Sequence, residues 1–428
     1  MEWALATIAM TLLLVAAVSR RISGTPVTAA MLFVAIGVLL GPRFIDGIDI
    51  ESTGSMVRSL AEATLTLVLF SDASRIDLRE LRREASVPAR LLGLGLPMTI
   101  AAGAVVAALL FGQLTFWEAV IVGVILAPTD AALGQSVVTN PKVPTRIRQG
   151  LNVESGLNDG ICVPLLFAAV AVADIESQIA GGRDALTRLT QEIGFGISGG
   201  VAAGAQVALL VVRAGRRNLI SGTWMQVIPA AGAALAYGIA SPLEGSGFIA
   251  AFVAGMVFRA GIRRDPEDIN RFTDEVGGVL NGVTFVVFGA IVLGPALGQL
   301  TWELAVYALL SLTVIRMLPV ALALLGSGAR LPTVAFLGWF GPRGLASIVF
   351  ALIVIEESAL PNESLLVLAV YITVGLSIFA HGLSAAPMAR RYAAWSQANP
   401  RRDSVPIEQI SDGVDVSRPR YWPGFGGD

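Results

Sequence analysis

In the stretch Ala127 to Pro164, APTDAALGQSVVTNPKVPTRIRQGLNVESGLNDGICVP, two carboxylates, Asp130 and Asp159, stand with Glu154, Ser155 and Asn158 in sequence that otherwise reads as hydrocarbon-spanning. A charged side chain at a bilayer centre costs about 2.5–3.5 kcal/mol even on lenient insertion scales, so buried carboxylates at that depth mark function. Pro128 removes a backbone donor next to Asp130 and frees carbonyls around Thr129. At 3.6 residues per turn, Ser155 and Asp159 share one helix face and can line a site with Asp130. Glu154 and Asn158 share another face, about 100° around, where an ionised Glu154 needs an arginine. Arg316 and Arg343 are the arginines left inside apolar segments, and the sequence does not choose between them. An oxygen-only ligand set suits a hard cation such as Na⁺, Li⁺ or K⁺ and offers nothing to zinc or copper.

These residues need a membrane scaffold to position them. The chain has 428 residues, 54% hydrophobic and only 14% charged, with a mean hydropathy of +0.72, a balance that places it among polytopic membrane proteins. Its 46 glycines suit close packing between transmembrane helices. A single cysteine, Cys162, excludes an internal disulfide framework and reads as packing, as does Trp339. Residues 3–18 lack a basic leader and are followed by Arg20 and Arg21, which reads as a retained first span.

Hydropathy predicts thirteen spans, at 3–19, 25–41, 56–72, 89–112, 116–139, 145–173, 192–212, 221–241, 245–260, 272–297, 301–324, 331–355 and 362–386. With the N-terminus outside, the loops on the cytoplasmic side and the C-terminal tail collect 24 of the 30 basic residues. The outer side keeps Arg43, Arg58, Arg183 and Arg188, as the positive-inside rule requires. The expectation is therefore an all-α, thirteen-span protein with its N-terminus outside and its C-terminus in the cytoplasm. An odd count allows an inverted repeat of spans 1–6 and 8–13. Span 5 then corresponds to span 12, and both are interrupted, at Pro128-Thr129-Asp130 and at Gly341-Pro342-Arg343-Gly344. Paired interrupted helices are the sequence pointer to a transporter binding site. Residues 1–388 form the membrane domain, and 389–428 read as a short disordered cytoplasmic tail.

TDAALGQSVV followed by ESGLNDG, with GPRGLAS in a late span, resembles the monovalent cation/proton antiporters of the NhaP and Na⁺/H⁺-exchanger type. The resemblance implies a plasma-membrane homodimer with a dimerisation bundle (spans 1–3 and 7–10) and a transport bundle (spans 4–6 and 11–13). Spans 5 and 12 would be its crossed, discontinuous helices. It implies ion coordination by Asp130, Asp159, Ser155 and the Thr129 main chain, with Glu154, Asn158, Arg316, Arg343 and Asp72 in support. Asn158 beside Asp159 goes with electroneutral exchange of one cation per proton. LFSDA at 69–73 resembles the family's acidic position at the end of span 3, with Ala73 where Gly is usual, so Asp72 is expected as a supporting or funnel carboxylate. Cation and proton are the substrates; no cofactor and no nucleic acid are expected.

Two other classes fit the sequence less well. A cation channel would need a filter of repeated carbonyls or acidic rings, and a membrane-embedded cation or pH sensor would need an output domain larger than this tail. An enzyme is disfavoured, since no nucleophile–base pair or ligand cluster is apparent. His381, in AHGLSA, and Glu62 read as structural or solvent-facing.

Overall fold

The computed structural model of the chain describes residues 2–22, 25–41, 50–76, 86–130, 133–138, 140–176, 182–262, 266–358, 360–399 and 408. Of the basic residues that set the predicted orientation, Arg43 on the outer side and Arg79, Arg82, Arg83, Arg263, Arg264, Arg401, Arg402, Arg418 and Arg420 on the cytoplasmic side lie outside the described residues, as do Ala131 and Ala132 of the TDAALGQSVV motif. Among the described residues the secondary structure is entirely helical. Each predicted span coincides with one helix or with a pair of helix fragments.

The first three helices are α1 (Glu2–Ile22), α2 (Ala29–Leu40) and α3 (Ile50–Arg75). Next come α4 (Val87–Leu110), α5a (Phe116–Ile125), α5b (Gln135–Val138) and α6 (Thr145–Glu176). They are followed by α7 (Gly182–Arg216), α8 (Gly222–Ala240), α9 (Gly247–Gly261) and α10 (266–297). The chain ends with α11 (Trp302–Ala323), α12a (Leu331–Trp339), α12b (Leu345–Glu357) and α13 (Glu363–Ala398). Seven of the described helices are long and apolar enough to cross a membrane; α2, α5a, α9 and α12b are shorter apolar helices.

Local chemistry explains where the short pieces begin and end. Thr115 accepts the backbone N–H of Glu118 while the Glu118 carboxylate accepts that of Thr115, a reciprocal cap that starts α5a. Glu118 is fully buried and also accepts the Asn362 N–H at 2.8 Å, tying this cap to the start of α13. Small residues let helices approach: a side chain at Gly200 or Gly204 of α7 would strike the α9 backbone at Ala250 or Ala254.

One buried cluster is drawn from α3, α7, α8, α9 and the first turns of α10, around Phe70, Val207, Ala236 and Phe258. Another joins α4, α6, α11, α12a and α13 around Leu91, Ile147, Val320, Phe336 and Tyr392. The helices that carry the two breaks pack in a third cluster, in which Ile121 and Val122 of α5a and Val349 and Phe350 of α12b join Leu65 of α3, Phe252 of α9 and Phe288 of α10.

The C-terminal boundary differs from expectation. α13 does not stop near Pro387 but continues to Ala398, and Ala389, Tyr392, Ala393 and Ser396 are buried along it. A proline inside a helix costs about 3 kcal/mol. Here burial offsets that cost: Tyr392 stacks on Phe336 with centroids 4.1 Å apart, and the Trp395 ring lies 4.3 Å from the Arg330 guanidinium. Glu408 is also ordered. Its carboxylate accepts the Arg330 N–H at 2.9 Å, the Arg330 Nε at 2.5 Å and the Thr333 hydroxyl at 2.6 Å. Burial alone would raise the Glu408 carboxyl, but these donors outweigh it and hold it below the usual carboxylate range. The expectation of a disordered tail from residue 389 is corrected for 389–399 and for Glu408; residues 400–407 and 409–428 lie outside the described set.

Candidate functional site

The site is built where two helices stop being helical. α5a ends at Ile125, and the chain runs without helix from Ala127 to Asp130; α12a ends at Trp339, and α12b does not begin until Leu345. The two breaks touch. The Asp130 N–H donates to the Pro342 carbonyl at 2.7 Å, the Leu345 N–H points at Asp130 Oδ2 at 3.4 Å, and the Ser347 hydroxyl donates to the Ile125 carbonyl at 2.7 Å. Glycine is required for this approach. A Cβ at Gly344 would run into the Asp130 carboxylate, and one at Gly341 into Thr129 and the Arg316 guanidinium. Gly344→Ala is therefore expected to cost about 1–3 kcal/mol of local strain and most of the transport activity. Thermal melting beside a flux assay on the purified variant would check both.

α6 closes the assembly. The Thr129 carbonyl, freed by the break, accepts the Ser155 hydroxyl at 2.6 Å, and the Thr129 hydroxyl accepts the Asn158 amide at 2.7 Å. Two side chains of α6, one from each of the predicted faces, thus hold the unwound stretch at Thr129. Asp159, one turn past Ser155, is 8% exposed, and its Oδ1 has no hydrogen-bond partner. Asp72, Asp130, Ser155 and Asp159 all line one cavity of about 690 Å³. Its walls come from the last turns of α3, the first turns of α6 and the first half of α10, so it reaches the end where Arg75 and Arg148 lie. That is the end predicted to be cytoplasmic. At the other end of α3, Arg58 pairs with Glu62 at 2.6 Å and with Glu356 of α12b, and Tyr237 donates to Glu62 at 3.3 Å.

The structure decides the arginine question. Glu154 Oε1 meets Arg316 Nη2 at 2.6 Å, with the side chains 2% and 1% exposed. Arg343 serves the α12 break instead: its guanidinium donates to the carbonyls of Gly341 and Ser311, and its N–H donates to the Ser377 hydroxyl at 2.7 Å. His381 completes that brace, with Nε2 2.9 Å from the Trp339 carbonyl and Nδ1 3.1 Å from the Ser377 hydroxyl. Cys162 is buried and free, and Trp339 donates to Ser384 at 2.9 Å.

Sequence reasoning missed the opposite wall. Asp274 of α10 binds Ser71 at 2.7 Å and pairs with Arg75, and the Asn270 amide donates to Ser74 at 2.7 Å. Asp274 and Glu275 stand near the start of a predicted span, where carboxylates ordinarily face water. Only the helical spacing of Ser71 and Arg75 hinted that α3 turns a polar face toward a partner.

The geometry defines a polytopic helical membrane protein whose polar centre sits at two abutting helix breaks. Comparisons with known proteins agree. The family described as sodium/hydrogen exchanger, transmembrane, matches residues 8–391. The chain belongs to that family. It is 28% identical over 400 residues to the K(+)/H(+) antiporter NhaP of Alkalimonas amylolytica, covering 92% of this chain and 66% of that protein. It is 27% identical over 259 residues to a Na(+)/H(+) antiporter of Schizosaccharomyces pombe, covering 56% of this chain and 54% of that one. The chain thus spans less than two thirds of either relative's length. Its fold matches the structure of the sodium proton antiporter MjNhaP1 from Methanocaldococcus jannaschii with a TM-score of 0.75 at 19% identity, covering 92% of this chain and 98% of that one.

Proposed function

We propose that this protein is a secondary antiporter of the plasma membrane that exchanges a monovalent cation, Na⁺, Li⁺ or K⁺, for a proton at Asp130 and Asp159. The observation that carries the reading is the placement of both carboxylates on one cavity, beside the unwound Thr129 strand and the break at Gly341–Gly344. Two carboxylates facing one enclosed space repel each other, and either a cation or a proton relieves that repulsion. Competition for one place, with movement permitted only once it is neutralised, gives obligatory exchange. In this reading Ser155 and the Thr129 main chain complete the cation's ligands, Asn158 and Glu154–Arg316 hold the unwound strand, and Asp72 stands in the access path.

The same reading takes the helices as thirteen spans with the N-terminus outside and the C-terminus inside. The two breaks belong to crossed, discontinuous helices at matching places of an inverted repeat. Spans 1–3 and 7–10 form the dimerisation bundle of a homodimer, and spans 4–6 and 11–13 the transport bundle. The separate buried cluster of α3 and α7–α10 supports that division. The cavity's lining by Arg75, Arg148 and Asp274, with Arg58 bridging α3 to α12b at the far end, supports an inward-open state.

The test is flux in proteoliposomes carrying a pH-sensitive dye, with outward and inward gradients of Na⁺, Li⁺ or K⁺. Exchange predicts proton movement that follows an opposing cation gradient, and the Asn158-Asp159 pair predicts the same rate with the membrane potential clamped or free. Proton or cation movement without an opposing gradient would mean a channel and would overturn the reading.

A further inference from the structure

The cavity wall carries two arginines, and both are turned away from the carboxylates below them. Arg148 spends its guanidinium on the Val143 and Val138 carbonyls, at 3.1 and 3.4 Å, and on the Thr145 hydroxyl. Arg75 lies one turn along α3 from Asp72, on the same helix face, and Arg75, Asp130, Asp159 and Asp274 are within electrostatic reach of Asp72. Yet Arg75 pairs across the cavity wall with Asp274 of α10. Both Asp274 oxygens are engaged, Oδ1 by the buried Ser71 hydroxyl at 2.7 Å and Oδ2 by Arg75, so the carboxylate is aimed rather than loose.

The pair is not needed to join the helices. The Asn270–Ser74 hydrogen bond, one turn away, already zips α3 to α10 inside the protein. What Asp274 does for the site is electrostatic. A guanidinium released beside Asp72 is a tethered monovalent cation at high effective concentration, and it would neutralise the carboxylate that an incoming ion should meet.

We infer that Asp274, oriented by Ser71, is a positioning residue that parks Arg75 on α10 and so keeps the protein's own cation out of the transported cation's path. This rests on the antiport reading, with Asp72 in the access path, and adds to it a residue that sets apparent cation affinity without touching the ion.

The experiment uses the full chain in proteoliposomes, with Na⁺, Li⁺ and K⁺ each as the driving cation. Wild-type flux that depends on an opposing cation establishes the underlying reading, and its absence would defeat that reading separately. Asp274→Asn is expected to raise the cation KM on the order of tenfold, with kcat nearly unchanged. Asp274→Glu should stay close to wild type. Arg75→Gln alone should leave KM unchanged or lower it, and adding it to Asp274→Asn should return KM to the wild-type value. Adding Asp72→Asn to Asp274→Asn should give a KM no higher than Asp72→Asn alone, because the released arginine then has no carboxylate to cover. A mere tether predicts the reverse: both single variants lose kcat and folded yield together, and the Arg75→Gln combination rescues nothing. That pattern, or an unchanged KM in Asp274→Asn, would overturn the inference.

Discussion

Asp159→Asn is expected to abolish cation-dependent proton movement, by roughly a hundredfold or more, while the protein still folds and purifies as wild type. The size of the effect follows from the side chain's situation. Residues that only support a metal ligand commonly cost 10–100-fold in affinity when changed, and Asp159 in this reading is a ligand and a proton acceptor together. Asparagine keeps the shape and one oxygen but cannot take up a proton and carries no charge to exchange. The fold should tolerate it, because Asp159 Oδ1 has no hydrogen-bond partner to lose and the side chain faces the cavity. The dye assay in proteoliposomes, with a melting curve of the same preparation, checks both halves. Flux that survives the substitution would move the exchange site off α6.

Much of this centre was legible in the sequence because its parts are chemically costly where they stand. Pro128 and the Gly341-Pro342-Arg343-Gly344 run announce helix breaks, and they fall at the breaks in the structure. The shared face of Ser155 and Asp159 follows from helical spacing alone. The contact between the two breaks is another matter. The bond from the Asp130 N–H to the Pro342 carbonyl joins backbone atoms far apart in the chain, and backbone polarity is the same in every sequence. Gly344 signals the close approach only once its neighbour is known.

Glu154 could be assigned an arginine but not a particular one, since Arg316 and Arg343 both sit in apolar spans. Helix placement decides: Arg316 follows the interruption of α11 at Thr313, whereas Arg343 sits within the α12 break and spends its donors on that break's carbonyls. The end of α13 was misplaced because Pro387 reads as a terminator, while the aromatic packing that carries the helix past it depends on α12a. Asp274 was invisible for a similar reason: its partners Ser71 and Arg75 lie on a helix separated from it by most of the membrane domain.

The Glu154–Arg316 pair should give the largest stability effect in the protein. Arg316→Met leaves Glu154 buried at 2% exposure with its counter-charge gone, and breaking such a pair costs about 3–5 kcal/mol. Glu154→Gln strands the guanidinium in the same way, packed so closely on Gly341 that a Cβ there would strike it. Removing both charges together is a different case. A buried pair contributes little net stability against well-packed neutral groups, because desolvation consumes most of its Coulombic gain. The double variant Glu154→Gln/Arg316→Met should therefore recover most of the stability lost by either single variant, a coupling read directly from melting midpoints of the four proteins. Transport by the double variant then separates two roles. If the pair only fills its space, activity should return with stability. If it also holds α6 and α11 in register with the unwound Thr129 strand, the double variant should melt near wild type and still transport slowly. The bonds from Ser155 and Asn158 to Thr129, on residues adjoining Glu154 or one turn along α6 from it, favour the second outcome.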